Sequence, residues 1–232
     1  MTKQKIVVLS GAGMSAESGL KTFRDADGLW EGHDVMEVAS IEGWHANQSL
    51  VLEFYNQRRR QLLKVSPNNG HLALVKLESK YDVSIVTQNV DDLHERAGSN
   101  NIIHLHGELL KACSVKNKSH VVDCSTDILL GDTALDGQQL RPFIVWFGED
   151  VPLLYNAVKL VEQADIVLII GTSMQVYPAA SLVEYAKSNA KIFYVDPKPQ
   201  INHALAQSEQ LTVLEDSAGN AIPALVEQLL AR

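Results

Sequence analysis

Two histidines separated by one residue, in His104-Leu105-His106-Gly107-Glu108, are the side chains of this sequence best suited to moving a proton at neutral pH. An imidazole near its ordinary pKa of about 6.5 can take up or release a proton where few other groups can. On a strand both rings would share one face, so spacing alone leaves His104 and His106 in competition. Upstream, Thr87-Gln88-Asn89-Val90-Asp91-Asp92-Leu93-His94 comes directly after an apolar run. Asn89 can donate and accept, whereas an ionised Asp91 only accepts; capping a helix is the alternative use for either. A third segment, Gly11-Ala12-Gly13-Met14-Ser15-Ala16-Glu17, places Gly11, Gly13 and Ala16 in the pattern G-x-G-x-x-G/A. That pattern sets a dinucleotide pyrophosphate at a strand-turn-helix junction, although a tight turn without ligand uses the same glycines.

The residues after the glycines separate two kinds of dinucleotide chemistry. In a dehydrogenase the helix runs on, and an acidic residue about twenty positions later takes the ribose. Here Thr22-Phe23-Arg24-Asp25 and Asp27-Gly28-Leu29-Trp30 interrupt the helix. Such a loop implies that something is done to the dinucleotide beyond holding it for hydride transfer. Val145-Trp146-Phe147-Gly148-Glu149 and Gly171-Thr172-Ser173 mark two further strand ends, where packing and then a turn is the plainer reading.

These residues need a scaffold that brings strand ends together. Short, β-branched apolar runs recur at 6–10, 83–87, 102–105, 143–146, 166–171, 192–195 and 211–214. Their lack of alternation suits a parallel sheet buried on both faces. Helical stretches are expected near 41–64, 71–80, 153–164, 179–189 and 222–231. The alternation predicts an α/β fold, a Rossmann-like doubly wound parallel sheet. Two insertions would form a smaller helical and irregular lobe. The predicted division is a single catalytic domain over 1–232, with a core of about 1–20, 71–110 and 141–232 and a lobe of about 21–70 and 111–140.

Composition narrows the partners. A net charge of −8 argues against nucleic acid. No apolar run is long enough for a membrane span or an export signal. With two cysteines in the whole chain, the expected compartment is reducing, hence cytoplasmic.

Taken together and in order, GAGMSAESG with TFRDADGLW, TQNVDDLH, HLHGEL, VWFGE and GTS resemble one family, the sirtuins, NAD-dependent protein lysine deacylases. The resemblance runs from Ile6 to about Leu229. It implies that NAD is a co-substrate held by Gly11, Ala12, Gly13, Ser15, Ala16, Glu17, Phe23, Arg24 and Trp30, with Phe23 and Arg24 in a mobile loop. Gln88, Asn89, Val90 and Asp91 would bind the nicotinamide ribose, with Asn89 and Asp91 assisting catalysis, and His106 rather than His104 would be the general base. Gly171, Thr172, Ser173, Asp196, Pro197, Lys198 and Ala218 would line the adenosine half; Asp196 falls where the family commonly has Asn. Val145, Phe147, Gly148 and Glu149 would meet the substrate, an acylated lysine side chain in a protein. The implied products are nicotinamide and O-acyl-ADP-ribose. Mono-ADP-ribosyl transfer and a non-catalytic NAD-binding module are the rival functions. Oligomeric state stays open.

The segment Phe54 to Leu62 resembles the bacterial and mitochondrial branch, which removes succinyl and malonyl as well as acetyl groups. Tyr55 and Arg58 share a helical face, and a phenol beside a guanidinium makes a fork for a carboxylate. Helical geometry does not choose between Arg58 and Arg59, and a solvated basic face is the plainer use of Arg58-Arg59-Arg60; the Tyr-x-x-Arg pattern of that branch selects Arg58. Ala39 would leave room for the longer acyl chain. Most sirtuins carry four zinc-binding cysteines. This chain has only Cys113 and Cys124, and a mixed site drafting His120 and Asp123 is the remote alternative, so zinc is not expected. The second insertion would instead be held by packing of Val121, Val122, Ile128 and Leu129.

Overall fold

Six of the apolar runs pair as one parallel sheet, and the seventh does not. The computed structural model describes residues 3–21, 29–30 and 32–231. Strand β1 (Lys5–Ser10) runs into the glycine turn, and a short hairpin of β2 (Leu29–Trp30) and β3 (His33–Asp34) comes after it. Helices α1 (Val35–Val38), α2 (Ile41–Ala46), α3 (Gln48–Leu62) and α4 (Asn69–Leu77) are next. The chain continues as β4 (Asp82–Thr87), α5 (Leu93–Ala97), β5 (Ile102–His104), β6 (Gly107–Ser114), β7 (Val121–Asp123) and β8 (Leu140–Ile144). It closes through α6 (Leu154–Val161), β9 (Ile166–Ile170), a 3-10 helix (Ala179–Tyr185), β10 (Lys191–Val195), α7 (His203–Ala206), β11 (Leu211–Leu214) and α8 (Ala218–Leu230).

The sheet order is β11-β10-β9-β1-β4-β5. Numbered among themselves, these strands run 3-2-1-4-5-6 from the β5 edge, the doubly wound order, with the switch point between β1 and β9. Register aligns the strand ends that matter: Ser10 lies opposite Thr87 on one side and Ile170 on the other. The turns that begin at Gly11, Gln88 and Gly171 therefore open into one crevice.

Alternate residues of each strand enter different cores. Ile6, Val8, Ile85, Leu168 and Ile170 pack against Leu74 and Leu77 of α4 and Ile222, Leu225 and Leu229 of α8. Val7, Leu9, Val167 and Ile169 pack against Ala157 and Val161 of α6 and Leu182. The result is a parallel sheet covered on both faces.

Three expectations are corrected. The run 143–146 is not a strand of the parallel sheet: β8 pairs antiparallel with β6 in a separate three-stranded sheet, order β7-β6-β8. The helix expected over 41–64 is two helices, because Ser40 caps α2 through Gly43 N–H and Asn47 caps α3 through Leu50 N–H. In the second insertion Val121, Val122 and Leu129 are exposed, and only Ile128 of the expected packing set is buried.

Candidate active site

The glycine turn is first a contact between two chains of backbone. Gly11 N–H donates to Ile170 O and Gly13 N–H to Gly171 O, at 3.0 and 2.8 Å. A Cβ on Gly13 would sit 2.7 Å from Gly171 Cα, and Gly171 itself has φ +60°. Glycine is required here so that β1 and β9 can bring their turns together, and both glycine amides are already satisfied. The amides of Ala12, Ala16 and Glu17 have no acceptor among the described residues. They form the anion-facing edge, a donor set that fits a pyrophosphate. The Glu17 carboxylate turns away from that edge: it accepts from Ser217 Oγ at 3.0 Å and Gly219 N–H at 2.5 Å, tying the turn to the N-terminus of α8 beside buried Ala218.

Ser15 links the turn to the end of β4. Its hydroxyl accepts from Asn89 Nδ2 at 3.1 Å and donates to Asp91 Oδ2 at 2.9 Å, and all three residues are buried. Leu93 N–H reaches Asp91 Oδ1 at 3.2 Å, a turn bond from the residue before the cap; the N-cap of α5 is Asp92, so the helix-capping use expected of Asp91 is not what the structure shows. Burial raises the Asp91 carboxyl above its ordinary pKa, against the pull of Ser15. Gln88 Nε2 crosses the crevice to Thr172 Oγ1 at 3.1 Å, and Leu109 N–H holds Val90 O. The three strand ends thus share one polar network.

The histidines part company, because β5 stops at His104 and His106 lies in the turn before β6, so they do not share a strand face. His104 is buried, with Nδ1 3.0 Å from Asn89 O and Nε2 2.7 Å from Glu95 Oε1. Both neighbours only accept, so both ring nitrogens carry protons. Burial opposes that charge, yet the bond and charge of Glu95 outweigh it and raise the pKa. His104 is therefore a brace for the Asn89 turn with no lone pair to offer. Among the described residues the His106 ring has a single hydrogen-bond partner, Gln88 O, 3.1 Å from Nδ1. A carbonyl cannot donate, so Nδ1 holds the proton and Nε2 presents a lone pair. Burial lowers its pKa, which keeps the ring neutral and basic at pH 7. Val145 N–H donates to His106 O, fixing the turn.

The lobe presents a second cluster. Arg59 is buried and bound to Leu109 O and Asn56 Oδ1 at 3.1 and 2.8 Å, which makes it a framework residue. Arg58 is partly exposed and stacks over Phe54 with Cζ 4.8 Å from the ring centre. Tyr55 is buried and accepts from Trp146 Nε1 at 3.0 Å. Trp146 rests on Arg141, whose Cζ is 3.3 Å from the ring centre. Glu149 is directed inward to Arg141 (2.7 and 3.2 Å), Lys118 (2.6 Å) and Trp146 N–H (3.0 Å), so its carboxylate supports the turn. Burial opposes its charge, but Arg141 and Lys118 hold its pKa below the ordinary value. Phe147 is exposed, Gly148 takes φ +87°, and Phe147 N–H bonds to the carbonyl of buried Ala39.

At the far end, buried Asp196 accepts from Lys198 N–H at 2.8 Å, beside exposed Pro197. Ser173 is partly buried after Thr172, and Trp30 packs edge-on to Phe54. Phe23 and Arg24 lie outside the described residues. Sequence reasoning missed Trp146, Arg141 and Glu95. The first was in plain view inside VWFGE, but nothing in the pattern announces an indole-to-phenol bond.

The residues of the lobe do not fit a structural zinc. Cys113 lies opposite Val121, while Cys124 N–H bonds to Leu110 O, three residues away from Cys113 along β6 and so about 10 Å distant. Four ligands must meet within about 2.3 Å of one ion, and among the described residues no group of three or more His, Cys, Asp or Glu side chains could hold a metal.

Comparison with known proteins agrees with this geometry. A protein of Helicobacter pylori named NAD-dependent protein deacylase is 59% identical over 227 residues, covering 98% of each chain. One of that name from Bacteroides thetaiotaomicron is 50% identical, again over 98% of each. A solved Sir2 homologue in complex with NAD is 33% identical with a TM-score of 0.87, over 99% of this chain and 90% of its own. Residues 11–178, which span the glycine turn, the His106 turn and the strand-end network, match the Sir2 family, and the chain belongs to it.

Proposed function

We propose that the protein is an NAD-dependent protein-lysine deacylase that removes acetyl groups and the acidic succinyl and malonyl groups. The observation that carries the catalytic reading is the His106 ring: its Nδ1 proton is fixed by Gln88 O, and its Nε2 is left as a base beside the Asn89–Ser15–Asp91 network. Bound NAD supplies an activated nicotinamide–ribose bond and the ribose that receives the acyl group. Asn89, Ser15 and Asp91 would orient the hydroxyls of that ribose, and the amides of Ala12, Ala16 and Glu17 would hold the pyrophosphate. His106 Nε2 would take a proton from a ribose hydroxyl, with proximity in a buried crevice carrying the rest. Incubation with NAD and acetyl-, malonyl- and succinyl-lysine peptides should release nicotinamide and O-acyl-ADP-ribose together; nicotinamide formed equally well without an acyl peptide would overturn the reading.

The acidic-acyl preference rests on Tyr55 and Arg58, one helical turn apart, with Arg59 already committed to the lobe framework. Arg58, partly exposed on the helical face it shares with Tyr55, would give the acyl carboxylate a charge-assisted bond. Arg58→Met should lower kcat/KM for succinyl-lysine by roughly 10- to 100-fold and for acetyl-lysine by less than about 3-fold. Equal losses on the two peptides would refute it.

A further inference from the structure

Trp146 carries a specificity function that stems from its bond to Tyr55, and this inference rests on the acidic-acyl reading above. A phenolic hydroxyl keeps its hydrogen in the ring plane, at one of two positions. Trp146 Nε1–H approaches Tyr55 Oη at 3.0 Å as a donor, so it occupies one position as acceptor space and the hydrogen must take the other. That hydrogen has no acceptor among the described residues, although Tyr55 is 1% exposed. A buried donor left without an acceptor is costly, and a carboxylate reaching it gains accordingly.

The indole cannot swing away from this bond. Arg141 lies against one face, Trp44 packs 5.3 Å from its ring centre, and Glu149 holds its backbone N–H. Burial also keeps the phenol protonated far above neutral pH. The geometry points to Trp146 as a positioning residue for acyl selection, its indole N–H fixing the Tyr55 hydroxyl as a donor toward a carboxylate-bearing acyl chain on the Arg58 side. An acetyl group has no carboxylate to use that donor.

Trp146→Phe keeps an aromatic ring and deletes the donor. The expected result is a KM for succinyl-lysine peptide raised about 5- to 10-fold with kcat kept, and acetyl-lysine kcat/KM within about 2-fold of the parent. Because Trp146 acts through Tyr55, the double variant with Tyr55→Phe should match Tyr55→Phe alone within about 2-fold. Losses that add, or that fall equally on both peptides, would overturn the inference. A readout free of folding effects uses the parent and Tyr55→Phe proteins: one of the three indole N–H resonances should move in Tyr55→Phe, and succinyl peptide should move that resonance in the parent more than acetyl peptide does. No difference between the peptides would count against it. If Arg58→Met fails to separate the two peptides, the acyl reading falls; if it separates them while Trp146→Phe does not, this inference alone falls.

Discussion

His106→Ala is expected to lower deacylation of every acyl peptide by about 10²- to 10⁴-fold, the usual contribution of a positioned general base, while NAD still binds. Ring geometry gives the direction. Gln88 O holds the Nδ1 proton, so Nε2 is the only basic atom His106 can present, and nothing else in the turn replaces it. His104 cannot, because Asn89 O and Glu95 take both of its protons. The same geometry sets the sign of the pH dependence. The base works when neutral, and burial lowers its pKa, so the rate is full above that value and falls as pH drops through it. The acid limb of kcat should therefore have its midpoint below about 6.5 and should persist in His104→Gln. Calorimetry of NAD binding separates a lost base from a lost site. Activity retained in His106→Ala, or an acid limb that shifts with His104→Gln, would return the role to the other histidine.

The sequence carried this site unevenly, and the physics says why. Apolar runs without alternation report a sheet buried on both faces, so β1, β4, β9 and β10 were legible from composition alone. Gly11 and Gly13 pointed to the right turn for a partly different reason: their hydrogens make room for Gly171 and its carbonyl, and the free amides belong to their neighbours. His104 and His106 could not be separated by spacing, because strand periodicity fails where β5 ends and Gly107 turns at φ +82°. The lobe sheet escaped notice because a register shift between Glu108 and Ala112 breaks the alternation of β6. Arg141 resembles an ordinary surface charge in sequence and Glu149 a substrate contact; only the fold shows them buried against each other.

That buried pair gives the largest expected effect on stability. Arg141→Met should cost about 3–5 kcal/mol, because it leaves the Glu149 carboxylate inside the lobe with its main partner gone. The two side chains are 5% and 7% exposed, and the pair is bidentate, so water cannot replace the lost guanidinium cheaply. Lys118 also reaches Glu149, but it is 44% exposed and screened, and it places the loss toward the lower end of the range. Arg141→Met/Glu149→Gln should recover part of the loss, since a neutral amide is less costly to bury than an orphaned charge. Acid titration supplies the sign test. The folded pKa of Glu149 is held below its ordinary value, so its contribution is full above about 4.5 and disappears as pH falls through the folded value. Arg141→Met should flatten that part of the stability profile. Urea unfolding of the single and double variants at pH 7 and below pH 4 reads all of this, and a single variant within about 1 kcal/mol of the parent would mean that the lobe does not depend on the pair. Val121, Val122 and Leu129 face outward and do not hold the lobe by packing. Arg141 and Glu149 fix the turn from Ile144 to Glu149 around Trp146, whose indole N–H bonds to the Tyr55 hydroxyl.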